Sequence, residues 1–228
     1  MTWRREWRRV RAIALKDLTA ERRSKASFNA VTALAVTMLV LFGFALGPDT
    51  QTVREAAPGV IWLAVLFAGV LAFNRSYQSE LDGGALEHLI LYPGGRRAIF
   101  AGKLLANFVF VALMLTIVIA CGVLLFQVRI PRQWPALVGI LFLGVTGLVT
   151  LGTFYAALSS RSRAREVLLP LLLFPMLVPL LLAAMEATKA LLGGNIMGDA
   201  SAWARLLTAF DVIFLVATFL GFESVIEV

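Results

Sequence analysis

The chain has 228 residues, of which 60% are hydrophobic and 15% are charged, and its formal net charge is +7. Soluble domains contain roughly half apolar and a quarter charged residues, so this composition indicates an integral membrane protein. The basic residues lie between apolar runs and do not form one patch with interleaved aromatic side chains, which argues against nucleic-acid binding.

Residues 3–25 form a basic segment that carries a helical apolar stripe. The stripe consists of side chains three or four residues apart, namely Trp3, Trp7, Val10, Ala14 and Leu18. This pattern predicts an N-terminal helix lying in the membrane interface, with its arginines near anionic lipid. The alternative is a basic tail that only sets the topology. The segment is too charged for a cleavable signal peptide, so we expect it to be retained.

Six apolar runs follow. Because a helix rises about 1.5 Å per residue, roughly 20 apolar residues cross the hydrocarbon core. The runs are 26–48, 56–74, 104–128, 133–160, 167–185 and 206–222, the last interrupted by Asp211. Backbone groups in lipid must be hydrogen-bonded internally, and no run alternates as barrel strands do, so each predicts a helix. We therefore predict an all-α membrane protein with six transmembrane helices in a single domain, residues 1–228.

The distribution of basic residues predicts the orientation. With both termini in the cytoplasm, sixteen of the 21 Lys and Arg residues fall on the cytoplasmic side and five fall outside. An excess of Lys and Arg in cytoplasmic segments is the normal pattern of multi-pass membrane proteins. We predict that the N- and C-termini are cytoplasmic.

The inner loop between the second and third spans carries a second amphipathic pattern, in residues 75–92. Apolar side chains recur there at every fourth position, at Tyr77, Leu81, Ala85 and Leu89, with Glu80 between them. A helix is predicted, which the pair Gly83-Gly84 weakens and Pro93 ends. Its apolar stripe either packs under the bundle or docks on a partner protein.

Residues that carry enzyme chemistry are sparse. Cys121 is the single cysteine and His88 the single histidine, and the chain contains no P-loop motif. A disulfide framework, a multi-histidine metal site and ATP hydrolysis by this chain alone are therefore excluded. His88 as an axial haem ligand is a weaker interpretation than a partly exposed histidine on an amphipathic helix. We predict no catalytic residues and no metal site, and the residues do not identify a cofactor-binding site.

The last two spans contain unusual residues. Pro170, Pro175 and Pro179 lie in the fifth span and predict a bent helix, since each proline removes a backbone donor. Arg165 belongs to the basic segment before that span. Asp211 lies in the sixth span, where an ionisable residue is a candidate functional site. We prefer to interpret it as an interfacial carboxylate that reaches water or pairs with Arg205 or Lys189.

Several stretches in order along the chain resemble the CcmB family, the permease of the cytochrome c maturation system. They are KDL at 16–18, LAVLFAGVLAFNRSYQSELDGGALEHLILYP at 63–93, GKLLANF at 102–108, LGTFYAALSSRSRAREVLLPLLLFPMLVP at 151–179 and AFDVIFLVATFLGFESVIEV at 209–228. Glu80, Gly84 and Pro93 match the family's inner loop, while Arg165, Pro170 and Asp211 match its later segments. The resemblance covers essentially the whole chain.

The resemblance implies an ABC-2-type permease fold in the bacterial inner membrane, with an interfacial helix at 3–25 and a cytoplasmic coupling helix within 75–92. It also implies a CcmA-type ATPase partner, a CcmC-type haem-handling membrane protein and two permease copies per complex. Haem is then the substrate or is held by a partner. Two alternatives stay open. One is a scaffold for haem-handling proteins that transports nothing, and the other is an ABC-2 permease for a lipid or polysaccharide.

The charge distribution makes a direct prediction about sidedness. In a Cys121→Ala background, single cysteines at Thr52 and Pro131 should react with a membrane-impermeant thiol reagent in intact cells. A cysteine at Gly83 should react only after the cells are permeabilised, because the positive-inside rule places it in the cytoplasm. Labelling of Gly83 in intact cells would contradict the predicted orientation.

Overall fold

A computed structural model describes residues 2–23, 25–82, 96–128, 131–160, 165–193 and 199–227. Within these ranges the chain forms seven long helices and no β-strand. The helices are α1 (Thr2–Arg23), α2 (Lys25–Ala45), α3 (Thr50–Asp82), α4 (Arg96–Phe126), α5 (Trp134–Ser159), α6 (Arg165–Leu192) and α7 (Ser201–Glu227). Helices α2–α7 are each long and apolar enough to cross a membrane. This confirms the six predicted spans, including the sixth, whose charge-free run Asp211 interrupts.

Helix α3 begins at a capped turn and extends beyond its apolar run. The Asp49 carboxylate accepts hydrogen bonds from the Gln51 N–H and the Thr52 hydroxyl, and so caps the first turn. The Thr52 bond is the main reason why the pKa of Asp49 lies below its usual value. At the other end the helix continues past Asn74, the last residue of the apolar run, to Asp82. The expected loop therefore starts as a continuation of the second span. No glycine or proline lies between Asn74 and Gly83 to end the helix there.

Helix α3 is the centre of the bundle. Of the apolar stretch of α3 that could cross the membrane, 72% is buried inside the fold, compared with 56% for α5 and 17% for α2. Its largest side chains, Trp62 and Phe73, are fully buried. Helices α2, α4, α5 and α6 pack against α3, while α7 packs on α4, α5 and α6, and the outer faces of the bundle expose apolar side chains.

Glycines on α5 allow this close packing. The Trp62 ring lies against Gly144, and the Phe73 ring lies against Gly152, at positions where a Cβ atom would overlap the ring. The Trp62 Nε1–H also donates a hydrogen bond of 3.1 Å to the Thr188 hydroxyl on α6. In lipid the hydrophobic effect does not drive helices together, because the lipid chains are as apolar as the side chains. Membrane helices therefore associate through small residues that allow close contact and through a few interhelical hydrogen bonds. Helices α3, α5 and α6 are thereby held in one register.

Helix α1 packs on the protein through part of its apolar stripe. Val10 and Ala14 are buried, whereas Trp7 is exposed. Ile13 lies so close to Gly102 of α4 that a Cβ there would be 2.7 Å from the Cβ of Ile13. The centre of the predicted interfacial stripe therefore contacts α4.

Helix α6 is one continuous helix from Arg165 to Leu192 and contains all three prolines. Pro170 is half-buried, while Pro175 and Pro179 are exposed on its surface. The prolines therefore do not interrupt the helix. A proline on the outer face of a packed helix leaves the freed carbonyls away from the helix–helix contact, where neighbouring groups can satisfy them.

Candidate functional site

Nine Ser, Thr, Asn, Lys or Asp side chains are buried among the described residues; six are hydroxyls, and the other three are Lys103, Asn107 and Asp211. Lys103 on α4 has a side-chain exposure of 0%. Its ammonium lies 3.3 Å from Asp17 Oδ2 and donates a 2.9 Å hydrogen bond to the Ser76 carbonyl oxygen. The same ammonium lies 4.6 Å from the centre of the Tyr77 ring. A buried cation is stable only if its lost hydration is replaced, and here a carboxylate, a carbonyl and an aromatic face replace it.

These contacts join three helices at one point, which we call the lysine node: Asp17 of α1, Ser76 and Tyr77 of α3, and Lys103 of α4. Ser76 and Tyr77 follow the apolar run of α3, so the node fixes the part of α3 that leads into the inner loop. The exposed fraction of Tyr77 is only 3%. The ring of this coupling candidate therefore packs inside the bundle.

The other coupling candidates lie further along the chain. Glu80 and Leu81 belong to the last turns of α3. Gly84, Leu89 and Pro93 lie outside the described residues, as does His88. The structure thus places residues 75–82, the start of the predicted coupling segment, on α3, and Ser76 and Tyr77 of this stretch belong to the lysine node.

Sequence reasoning missed Lys103 and Asp17 as partners. Lys103 counted only as one of the cytoplasmic basic residues, and Asp17 belonged to a basic tail. The available signal was the position of Lys103, seven residues inside a 31-residue helix that is otherwise strongly apolar. A lysine at such a place needs a specific partner.

The second buried polar contact lies one turn further along α4. Asn107 Nδ2 donates a 2.9 Å hydrogen bond to the Thr153 hydroxyl of α5. Asn107 is four residues after Lys103 and therefore on the same face of the helix. This face of α4 is thus joined to α3 and α1 through Lys103 and to α5 through Asn107.

Asp211 is the third of the buried residues that carry a charge or an amide. Its exposed fraction is 6%, and neither carboxylate oxygen has a hydrogen-bond partner among the described residues. It lies against α5 and α6: a Cβ on Gly147 would be 2.5 Å from Asp211 Oδ1 and would also overlap Leu180. Leu180 follows Pro179, so the carboxylate faces the proline-containing helix.

The preferred interpretation of Asp211 as an interfacial carboxylate is wrong. Helix α7 begins at Ser201, which places Asp211 about 15 Å along the helix and not one turn from its end. Arg205 donates a hydrogen bond to the Ser201 carbonyl of its own helix instead of pairing with the acid. The depth of Asp211 was misjudged because the charge-free run begins only after Arg205, whereas the helix already begins at Ser201.

Arg165 is the first residue of α6. It precedes Pro170 by just over one turn and is far along the chain from the lysine node. Within the described ranges, no group of three or more His, Cys, Asp or Glu side chains could hold a metal ion. Among the described residues, the bundle thus contains a buried cation that joins three helices and a buried Asp211 carboxylate without a hydrogen-bond partner.

Comparison with known proteins adds the family relationship. A family model described as CcmB protein matches residues 8–227. The chain is similar to heme exporter protein B of Paracoccus denitrificans, with 30% identity over 180 residues that cover 79% of this chain and 82% of the relative. Heme exporter protein B of Pseudomonas aeruginosa is 30% identical over 172 residues, covering 75% of this chain and 77% of the relative. That of Escherichia coli K12 is 31% identical over 176 residues, covering 72% and 80%.

The contrast between Asn107 and Asp211 predicts opposite effects on stability. Asp211→Asn removes a buried acid that has no partner among the described residues, so it should stabilise the fold by on the order of 1 kcal/mol or leave it unchanged. Asn107→Leu removes a satisfied hydrogen bond and should destabilise by about 1–3 kcal/mol. Unfolding midpoints of the purified protein in detergent measure both. If Asp211→Asn lowers the midpoint as much as Asn107→Leu does, the carboxylate makes a stabilising contact after all.

Proposed function

Because the chain belongs to the CcmB protein family, whose model matches nearly its whole length, we propose that it is the permease subunit of an ABC transport complex in cytochrome c biogenesis. The match over residues 8–227 carries this proposal, and the six membrane-crossing helices support it. A CcmB permease subunit is not itself an enzyme. We assign ATP hydrolysis to a separate CcmA-type ATPase.

We infer haem export as the transport function, because the relatives carry the name heme exporter protein B. ATP hydrolysis by the partner would drive either the export of haem or the release of a haem-loaded chaperone. The complex would also contain a CcmC-type haem-handling protein and two permease copies, arranged as in ABC-2-type exporters. The proposed location is the bacterial inner membrane, with both termini in the cytoplasm.

The route of coupling in this proposal follows from the continuity of α3. A membrane subunit without an ATPase site must receive its mechanical input through a surface that the ATPase can contact. The candidate surface is the segment 75–92, which begins on the end of α3. Since α3 is also the most buried span, a displacement of its cytoplasmic end would reach every helix packed around it.

The lysine node would then determine which helices move together. Lys103 holds Ser76 of α3 and Asp17 of α1. A force on residues 83–95 would act on α3 and α4 at both ends of that segment. Because the node joins those two helices directly, they would respond as one unit and take α1 with them. Packed interfaces move as discrete bodies and do not deform gradually, which makes such a unit effective.

The proposal predicts a defined loss of partner binding. Replacing Leu81 and Leu89 by Ser removes two anchors of the apolar stripe, and truncation of a central anchor commonly costs about 1–2 kcal/mol or more. Co-purification of the ATPase with the double variant should therefore fall by at least about tenfold, while the abundance of the permease stays normal.

The matched control is Leu124→Ser with Leu125→Ser, two exposed leucines at the opposite end of α4. This control carries the same chemical change and should retain the ATPase. If the Leu81 and Leu89 variant keeps its ATPase fully, the stripe packs under the bundle and the coupling assignment is wrong.

A further inference from the structure

An elongated apolar groove runs along the bundle between α4 and α5, with α3 and α6 at its floor. Its volume is about 450 Å³. It extends from Phe108 and Val145 near mid-membrane to Val128 and Trp134 at the end of the bundle opposite the lysine node. Its two hydroxyl groups belong to Thr116 and Thr188 and donate to carbonyls of their own helices. The lining therefore behaves as an apolar surface.

A basic rim continues the groove at that end. A second cavity of about 570 Å³ shares Val128 and Leu192 with the groove and is otherwise lined by Arg54, Glu55, Pro58, Lys189 and Gly193. Arg54 and Lys189 are exposed and form no ion pair with a described residue, whereas the Glu55 carboxylate accepts a hydrogen bond from Gln51. The mouth of the groove thus carries two cations that pair with no carboxylate of the described residues, together with the Glu55 carboxylate.

The dimensions of the groove limit what can occupy it. Phe108 and Val123 are fifteen residues apart on α4, so the groove follows about 22 Å of helix. That length is about half of a bilayer roughly 40–45 Å thick, so the groove spans one lipid leaflet.

The groove also opens toward lipid at a definite depth. Trp134 and Phe142, which line it, are 61% and 56% exposed. Tryptophan is enriched at the level of the lipid headgroups, and Trp134 lies at the rim end of the groove. An occupant with its polar group at Arg54 and Lys189 would therefore have that group at headgroup depth and its apolar part alongside the hydrocarbon core.

We propose that this groove and rim bind one anionic phospholipid, with the phosphate between Arg54 and Lys189 and an acyl chain along α4 and α5. The site does not depend on the proposed transport function. The cationic rim selects lipids with net negative charge over zwitterionic ones, and the groove is long enough to hold an acyl chain along the helices.

Native mass spectrometry of the full chain in detergent tests the rim, with phosphatidylglycerol and phosphatidylcholine as probes. Each basic residue near an anionic lipid contributes about fivefold in affinity, so Arg54→Gln and Lys189→Gln should each weaken phosphatidylglycerol binding by about that factor. The charge-matched control Arg205→Gln should leave it unchanged. Equal affinity for the two lipids, or an equal effect of Arg205→Gln, overturns the proposal.

A second pair of variants tests the groove itself. Ala112→Phe fills the groove and should weaken the binding of phosphatidylglycerol at least as much as the loss of one rim charge does. Ala120→Phe, on an exposed position of the same helix outside the groove, should not. Equal binding by both variants overturns the proposal. Displacement of the lipid by an equimolar amount of haem also overturns the proposal, because the groove would then be a haem site.

Discussion

The ammonium group of Lys103 has no exposure to solvent, and three helices are arranged around it. A buried cation costs several kcal/mol unless partners replace its hydration, and no apolar neighbour can do so. Asp17, the Ser76 carbonyl and the Tyr77 ring come from two other helices, so the charge is stable only when α1, α3 and α4 are in their observed positions. This one requirement specifies the packing of α1 on the bundle and the place where α3 leaves its apolar environment.

The other helices are held together mainly by close packing, which depends less on exact partner geometry than the contacts of Lys103 do. Lipid offers apolar side chains an environment as favourable as another helix, so the spans rely on close approach and on a few hydrogen bonds. Gly144 and Gly152 accept the rings of Trp62 and Phe73, and two interhelical bonds, Trp62 to Thr188 and Asn107 to Thr153, align the helices. The result is a closely packed centre around α3, whose end at Ser76 and Tyr77 is tied to α1 and α4. If a separate ATPase drives the permease, as proposed, such a centre can receive a displacement and distribute it.

The parts of this arrangement that were predictable are those that the membrane imposes. Unpaired backbone groups are not tolerated in hydrocarbon, so apolar runs of sufficient length indicated the six spans, and the basic residues indicated an orientation. The lysine node was not predictable, because Lys103 and Asp17 are 86 residues apart and each looked like a topological charge. The depth of Asp211 was misjudged because a charge-free run does not mark where a helix begins. Similarly, the polar residues after Asn74 marked the end of the apolar run but not the end of α3, which continues to Asp82.

A double-mutant cycle between Asp17 and Lys103 tests the central claim most directly. Unfolding free energies in detergent would be measured for Asp17→Asn, Lys103→Met and the double variant, with Arg11→Met, an exposed basic residue of α1, as the control. Residues that share a buried charge contact couple by about 0.5–3 kcal/mol, so the double variant should be less destabilised than the two single changes together. Arg11→Met should have little effect. Additive single effects, within about 0.5 kcal/mol, would show that the ion pair does not fix α1 on the bundle.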